Sequence, residues 1–142
     1  MRWCAVLVTF FGTIPAAFGQ SDAEKVDREW KLLQGEWSIV SVEDQDGKPM
    51  PEKLKGMSVV FKGRSMFSRS KEGEAEAEAT LDPAKQPKWI DTKDKKYGDA
   101  MQGIYVLDGD TLKLCLGRPG KRPEKFAVTG KDDRLIVLKK KK

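Results

Sequence analysis

The side chains that could do chemistry in this chain are limited, because its 142 residues include no histidine. Histidine is the commonest general base near neutral pH and a common metal ligand. Cys115 therefore lacks an imidazole partner, and we interpret it as a buried structural thiol. Two cysteines without histidine cannot supply the four N and S ligands of a closed zinc site. We expect no catalytic residue, no bound metal and no cofactor.

Two short motifs look like ligand-binding loops but lack the residues that those loops need. Asp44-x-Asp46-Gly47 resembles the start of a calcium loop, yet the twelfth position counted from Asp44 is Lys55 rather than a carboxylate. The segment 117–121 has two glycines and a lysine, but it lacks the glycine spacing and the Ser or Thr of a P-loop. Both motifs indicate turns.

The N-terminal segment has the pattern of a secretory signal peptide. Arg2 supplies a positive charge, 3–14 is almost wholly apolar, and Ala17 and Gly19 are the small residues of a cleavage site. We predict a signal peptide over 1–19, and hence a secreted or periplasmic protein. An uncleaved anchor is the alternative, although a membrane-spanning helix needs roughly 20 apolar residues.

The positive charge of the chain is concentrated in its C-terminal tail. The chain has 27 basic and 22 acidic residues, and four of the lysines are residues 139–142. Without Arg2 and this tail the body is close to neutral, whereas nucleic-acid binding requires a basic patch on the domain itself. We expect no nucleic-acid partner. After cleavage only Cys115 is left, so no intramolecular disulfide can form and the core alone must stabilise the domain.

The hydrophobic pattern predicts one helix followed by strands. Val26, Trp30 and Leu33 share one face of a helix over 20–33. Beyond Gly35 the pattern changes to strict alternation. Nine segments have the pattern of a strand, one more than the eight strands of the barrel expected below: 37–42, 57–62, 65–70, 74–81, 88–92, 103–107, 111–116, 125–129 and 135–139. The segment 74–81 alternates Glu and Ala, and its composition favours a helix. Its alternation instead favours a strand, which places the alanines on one face and the glutamates in water. The alanines are Ala75, Ala77 and Ala79, and the glutamates are Glu74, Glu76 and Glu78. Solvated carboxylates of this kind make poor acid–base pairs.

Short turns and the lack of crossover helices predict an antiparallel sheet. We expect an all-β fold, a small antiparallel eight-stranded up-and-down barrel over 34–139 with one short N-terminal helix and a basic tail at 140–142. Closure removes exposed strand edges, and an open sandwich is the alternative. The clearest hairpin is 103–116, because Asp108-Gly109 supplies the positive φ that a tight turn needs.

Several motifs resemble a known family. Residues 33–37, with Gly35 and Trp37 after a short helix, resemble the motif that opens the first strand of lipocalins. The hairpin 103–116 resembles an uncharacterised family of secreted, lipocalin-like planctomycete domains, and so do the shorter stretches 46–48, 53–56 with 59–61, 81–83 with 90–91, and 122–123 before Phe126. The resemblance covers 30–139 and implies a barrel and secretion, but no activity. It also implies a basic residue over Trp37 from the last strand; we expect Arg134, with Lys139 as the alternative.

The interior of the barrel is the remaining candidate site, since small eight-stranded barrels are either packed solid or hold one small ligand. Alternation groups the inward-facing residues as 37 and 39; 57, 59 and 61; 75, 77 and 79; and 112, 114 and 116. We predict non-covalent binding of a small apolar ligand by a monomer, with contacts from Trp37, Phe61, Trp89 and Tyr105. The alternative is a non-catalytic structural or protein-interaction module of the cell envelope with a solid core.

Overall fold

A computed structural model describes residues 22–48 and 51–141 of the chain. The predicted signal peptide lies outside the described residues. Eight antiparallel strands follow one another around a closed barrel, which confirms the predicted fold class. In the described ranges no helix has the length and apolar character needed to span a membrane.

The described residues form two helices and eight strands. They are α1 (Asp22–Leu33), β1 (Gly35–Glu43), α2 (Pro51–Leu54), β2 (Ser58–Lys62), β3 (Ser65–Ser70), β4 (Gly73–Asp82), β5 (Lys88–Asp94), β6 (Ala100–Asp108), β7 (Thr111–Gly117) and β8 (Arg134–Lys140). Each strand pairs with the next, and β1 also pairs with β8. The sheet therefore closes on itself and leaves no unpaired edge.

Strand β4 confirms the prediction for the alternating Glu–Ala segment. Ala79 is buried and Ala77 packs against the core. On the other face, Glu74 and Glu76 form ion pairs with Arg69 at 2.6 Å and Lys95 at 2.8 Å. The separation of apolar and charged side chains that a strand provides thus outweighs the helix propensity of the individual residues.

The predicted strand at 125–129 is wrong, because this segment is irregular in the structure. With β7 and β1 already paired to the two edges of β8, no edge is left for a ninth strand. The segment instead lies against the outer wall of the barrel, where Cys115 Sγ donates a hydrogen bond to the Ala127 carbonyl at 3.5 Å. Asp133 stabilises it by accepting hydrogen bonds from the backbone N–H groups of Thr129 and Gly130.

Helix α1 covers one end of the barrel, which we call the closed end. Trp37 is fully buried there, and its Nε1 donates to the Leu33 carbonyl at 2.9 Å. Gln34 fixes the helix to the β2–β3 turn through two 2.9 Å hydrogen bonds: its Nε2 donates to the Gly63 carbonyl, and its Oε1 accepts from the Gly63 N–H. The ion pair between Glu29 and Lys88 adds a further attachment.

The closed end is filled by large side chains from β1, β2 and β6, capped by α1. Trp37, Phe61 and Tyr105 are each at most 1% exposed. The Trp30 ring packs on Phe61 with 6.3 Å between ring centroids. Aliphatic residues complete the packing, including Leu33, Leu112 and Leu138. Aromatic rings therefore occupy this end of the interior.

Two features of the barrel differ from the sequence prediction in detail. The hairpin at 103–116 is confirmed, but Asp108 pairs with Thr111, so the two-residue loop is Gly109-Asp110. Gly109 has φ +59° and occupies the first loop position, as in type II′ turns. In addition, the predicted basic tail begins later, because Lys140 lies in β8 and the Lys141 N–H donates to the Glu36 carbonyl at 2.9 Å.

Candidate ligand cavity

The barrel is hollow at the end opposite α1, which we call the mouth. The cavity there has a volume of about 920 Å³ and opens to solvent. Its wall is largely apolar and combines residues from β1, β2, β3, β6, β7 and β8, with Met57 preceding β2. These residues are Ile39, Val42, Met57, Val59, Met66, Met101, Leu114, Leu116 and Ile136.

The sequence explains why the interior is filled at one end and hollow at the other. Toward the closed end the inward residues include Trp37, Phe61 and Tyr105, whereas toward the mouth Ala75, Ser68 and Thr92 line the cavity. Small side chains leave space that neighbouring residues do not fill. Ala75, one of the alanines that alternation places on the inner face of β4, lines this cavity.

A bulge in β1 adds an apolar residue to the cavity wall. The register of β1 against β8 shifts between Ile39 and Ser41, and Val40 is 53% exposed. Because of the extra residue, Val42 aligns with Ile136, and both line the cavity. Uninterrupted alternation from Trp37 would place Ser41 rather than Val42 on the inner face.

Two ion pairs lie among the charged side chains around the mouth. Lys95 binds Glu76, and Arg69 binds Glu74. The hydrogen bond from Lys95 lowers the pKa of Glu76, and the same bond raises the pKa of Lys95. These pairs are solvent-exposed and contribute little to stability, but they satisfy the charges that they contain.

Two cations of the cavity wall have no ion pair among the described residues: Lys96, which lies against the Tyr97 ring, and Arg134. Arg134 begins β8 and aligns with Leu116, so it shares the inner face with Leu116 and Ile136. No described residue forms an ion pair or hydrogen bond with its guanidinium. A permanently charged group with five N–H donors therefore lies at the mouth with its donors unused by the protein.

The loop between β5 and β6 forms one side of the mouth. The Asp94 Oδ1 accepts hydrogen bonds from the backbone N–H groups of Lys96 and Tyr97, each at 2.8 Å. This turn presents Tyr97, which is 71% exposed, at the rim of the cavity. Lys96 Nζ lies 5.2 Å from the centroid of the Tyr97 ring. The rim thus carries an aromatic surface in addition to its charges.

The four predicted ligand-contacting residues lie elsewhere. Trp37, Phe61 and Tyr105 are buried in the closed end, and none of the four lines the cavity. Trp89 is on the outer wall, because Ile90 takes the inward position beside it. There the Trp89 ring lies between two cations, with Arg122 Cζ at 4.0 Å and Lys85 Nζ at 4.8 Å from its centroid.

The predicted position of the basic residue over Trp37 is also wrong. Arg134 lies at the mouth, at the opposite end of β8 from the residue that aligns with Trp37. The cation over the ring is Lys140, whose Nζ is 5.5 Å from the indole centroid. Lys139 aligns with Ser38 and so takes the outer face. Alternation counted back from Lys140 gives Leu138, Ile136 and Arg134 on the inner face, a signal that the sequence already contained.

Cys115 is buried, and the segment that begins at Asp44 contains a turn. Burial raises the pKa of the Cys115 thiol, which disfavours the nucleophilic thiolate. Asp44 accepts a hydrogen bond from the Asp46 N–H at 2.8 Å within a turn. Across residues 22–48 and 51–141, no three Cys, Asp or Glu side chains come together as metal ligands.

A second concavity, of about 690 Å³, lies among the loop residues 118–133. Its lining is mainly charged, and Arg118 is already paired with Asp132 at 2.9 Å. The mouth cavity is larger and has the more apolar wall, so it is the better candidate for a ligand site.

Comparison of the chain with protein-family models, with curated proteins and with solved structures found no match. The functional interpretation below therefore rests on the geometry and chemistry of the cavity.

Proposed function

We propose that this protein binds a small, mainly apolar molecule non-covalently in the mouth of its barrel. The observation that carries the proposal is the cavity of about 920 Å³ with a wall of aliphatic and methionine side chains. Ligand pockets of roughly 300–1,000 Å³ suit molecules of drug-like size and are predominantly apolar. Transfer of apolar surface from water into such a cavity drives binding.

The filled closed end supports the proposal because it provides a fixed floor. Phe61, Leu112 and Leu138 pack below the cavity and are at most 1% exposed. The eight paired strands hold the wall residues in place before any ligand arrives. A site that is formed in advance loses less conformational entropy on binding.

A neutral fluorescent naphthylamine, N-phenyl-1-naphthylamine, tests the proposal by titration. We expect a saturable rise in its emission with the protein. In Ala75→Trp, the indole would occupy the mouth and exclude part of the ligand from the apolar wall. Loss of this apolar contact should weaken binding about tenfold or more, which corresponds to about 1.4 kcal/mol or more. Thr80→Trp is the matched control, because Thr80 lies on the exposed face of the same strand. Equal affinities of the two variants would contradict binding in the cavity.

The alternative is a non-catalytic structural or interaction module. The solid closed end and the exposed Val40, at 53%, favour this alternative. It predicts that the titration shows no saturation and that the two tryptophan variants behave alike. In neither case do we propose a reaction.

We also propose that the protein is secreted or periplasmic and belongs with the lipocalin-like secreted domains that its motifs resemble. The support for secretion is the charged, apolar and small-residue pattern of 1–19. Expression with these residues present should yield an exported product whose mass corresponds to a chain that begins at Gln20. Retention of the full mass in the exported fraction would contradict cleavage after Gly19.

A further inference from the structure

Arg134 has a position that the binding of a wholly apolar ligand does not explain. Its side chain lies on the same inner face as Leu116 and Ile136, beside the apolar wall. Arg134 is exposed to water in the empty cavity, so a wholly apolar ligand that covered it would remove this water without replacing the lost hydrogen bonds. Within the described part of the chain its guanidinium has no ion-pair or hydrogen-bond partner.

The neighbouring acidic groups do not fill this role. Glu74 and Glu76 are engaged by Arg69 and Lys95. The Asp94 Oδ1 already accepts two backbone N–H groups that shape its turn. Glu72 also lines the mouth, and its carboxylate lies more than 4.0 Å from the Arg134 nitrogens, outside ion-pair distance. The donors of Arg134 are therefore available to a molecule that enters the cavity.

We infer that the ligand is an anionic amphiphile, with an apolar body in the cavity and a carboxylate or similar anionic group bound by Arg134. This inference rests on the proposed function and specifies its ligand class. A guanidinium has only donors and matches the two oxygens of a carboxylate in a bidentate pair. The hydroxyls of Ser68, Ser70 and Thr92 line the same cavity and provide further donors.

Isothermal titration with three amphiphiles of equal chain length tests the inference: dodecanoate and dodecyltrimethylammonium, each below its critical micelle concentration, and dodecanol below its solubility limit. We expect dodecanoate to bind most tightly and the cation most weakly. Arg134→Gln should weaken dodecanoate binding about tenfold or more and leave dodecanol binding within about twofold, because only the carboxylate uses the charge. The affinity of the wild-type protein for dodecanoate should fall as salt is added, because salt screens the attraction between the two charges.

Lys113→Gln is the matched control, because Lys113 is exposed on β7 between the inward-facing Leu112 and Leu114 and its loss changes the net charge equally. It should leave dodecanoate binding within about twofold of the wild type, as expected for a distant surface charge. An equal loss of dodecanoate affinity in both variants, or no loss in Arg134→Gln, would overturn the inference. In that case, binding of dodecanol would still support the proposed function. Failure of all three amphiphiles to bind would overturn both.

Discussion

Lys140 lies over the indole ring of Trp37, with its Nζ 5.5 Å from the ring centroid. The two residues are direct partners in the β1–β8 register, which closes the barrel. The Trp37 Nε1 also donates a hydrogen bond to the Leu33 carbonyl at the end of α1. Trp37 therefore joins the first strand, the last strand and the helix that covers the closed end.

Replacement of Lys140 tests the contribution of its charge. Lys140→Met keeps the length of the side chain but removes the cation, and it should lower the free energy of unfolding by about 0.5–1 kcal/mol. Urea denaturation measures this change. Lys139→Met is the control, because Lys139 points away from the ring, and it should change the free energy by less than about 0.5 kcal/mol. Equal effects would contradict a specific contact.

Arg122 is predicted to stabilise the outer wall more than an ordinary surface cation does. Its side chain is only 15% exposed, and its guanidinium lies over the Trp89 ring. Its Nη1 donates to the Gly103 carbonyl at 2.7 Å and forms an ion pair with Asp91 Oδ1, also at 2.7 Å. Arg122→Lys should destabilise the protein by about 1–2 kcal/mol, because an ammonium cannot make these contacts together.

The matched control for this prediction is Arg118→Lys. Arg118 is 59% exposed and has only the surface ion pair with Asp132. Its replacement should change the free energy of unfolding by less than about 0.5 kcal/mol. A loss in Arg122→Lys no larger than the loss in Arg118→Lys, measured by urea denaturation, would argue against the buried role of Arg122.

Tyr105 gives the stability a predictable dependence on pH. Burial, with the negative charge of Glu29, raises the pKa of Tyr105. The folded protein keeps this proton at a pH where the unfolded chain, with a tyrosine pKa of about 10, has lost it. The unfolded state then binds fewer protons, so stability falls as pH rises above about 10, by up to about 1.4 kcal/mol per pH unit until the folded pKa is reached.

Tyr105→Phe should remove this component of the alkaline destabilisation. Since the Tyr105 hydroxyl is buried and has no hydrogen-bond partner among the described residues, the variant should also be more stable near pH 7, by about 1–3 kcal/mol. Tyr97→Phe serves as the control, because Tyr97 is 71% exposed. Urea denaturation from pH 7 to 11 makes the comparison; parallel curves for wild type and Tyr105→Phe would refute the assignment.

Gly103 is predicted to be intolerant of any side chain. A Cβ atom at this position would lie 2.5 Å from the Cys115 carbonyl oxygen and 2.6 Å from Leu116 Cδ2. The first contact is with backbone on the paired strand, so the β6–β7 ladder would have to separate. Gly103→Ala should cost about 3 kcal/mol or more, or abolish folding, as expected for severe overpacking. Circular dichroism during thermal unfolding measures the loss.

Gly109→Ala provides a contrast, because a Cβ atom there meets no atom within 4 Å. Its cost should be about 1–2 kcal/mol, the penalty of holding a non-glycine residue at φ +59°. If Gly103→Ala lowers the stability no more than Gly109→Ala does, the close approach of β6 to β7 is contradicted.

Alternation alone carries most of the fold prediction. It assigns β4 correctly against the helix propensity of alanine and glutamate, because a strand places Ala77 and Ala79 against the core while Glu74 and Glu76 form ion pairs in solvent. It fails at 125–129, where the pattern of a strand exists but the barrel is already closed by β8. Closure is a property of the whole sheet, and local sequence does not reveal it.

The candidate site is predicted only in part, and the reasons are physical. Val59, Leu114 and Leu116 follow from alternation and line the cavity. Large aromatic residues were expected at the ligand, but they are the groups that fill a core most effectively, so Trp37 and Phe61 define the solid end. The bulge in β1 places Val42 in the cavity wall, and alternation with a period of two does not predict such a bulge.

The central claim is that the mouth of the barrel is an apolar binding cavity above a solid closed end. Methyl-resolved NMR of Ile, Leu and Val side chains during titration with dodecanol tests it most directly. We predict the largest shift changes at Ile39, Leu114, Leu116 and Ile136, which line the cavity, and small changes at Leu112 and Leu138 below it. An unchanged spectrum, or changes centred on the outward-facing Val40 and Val106, would contradict the claim.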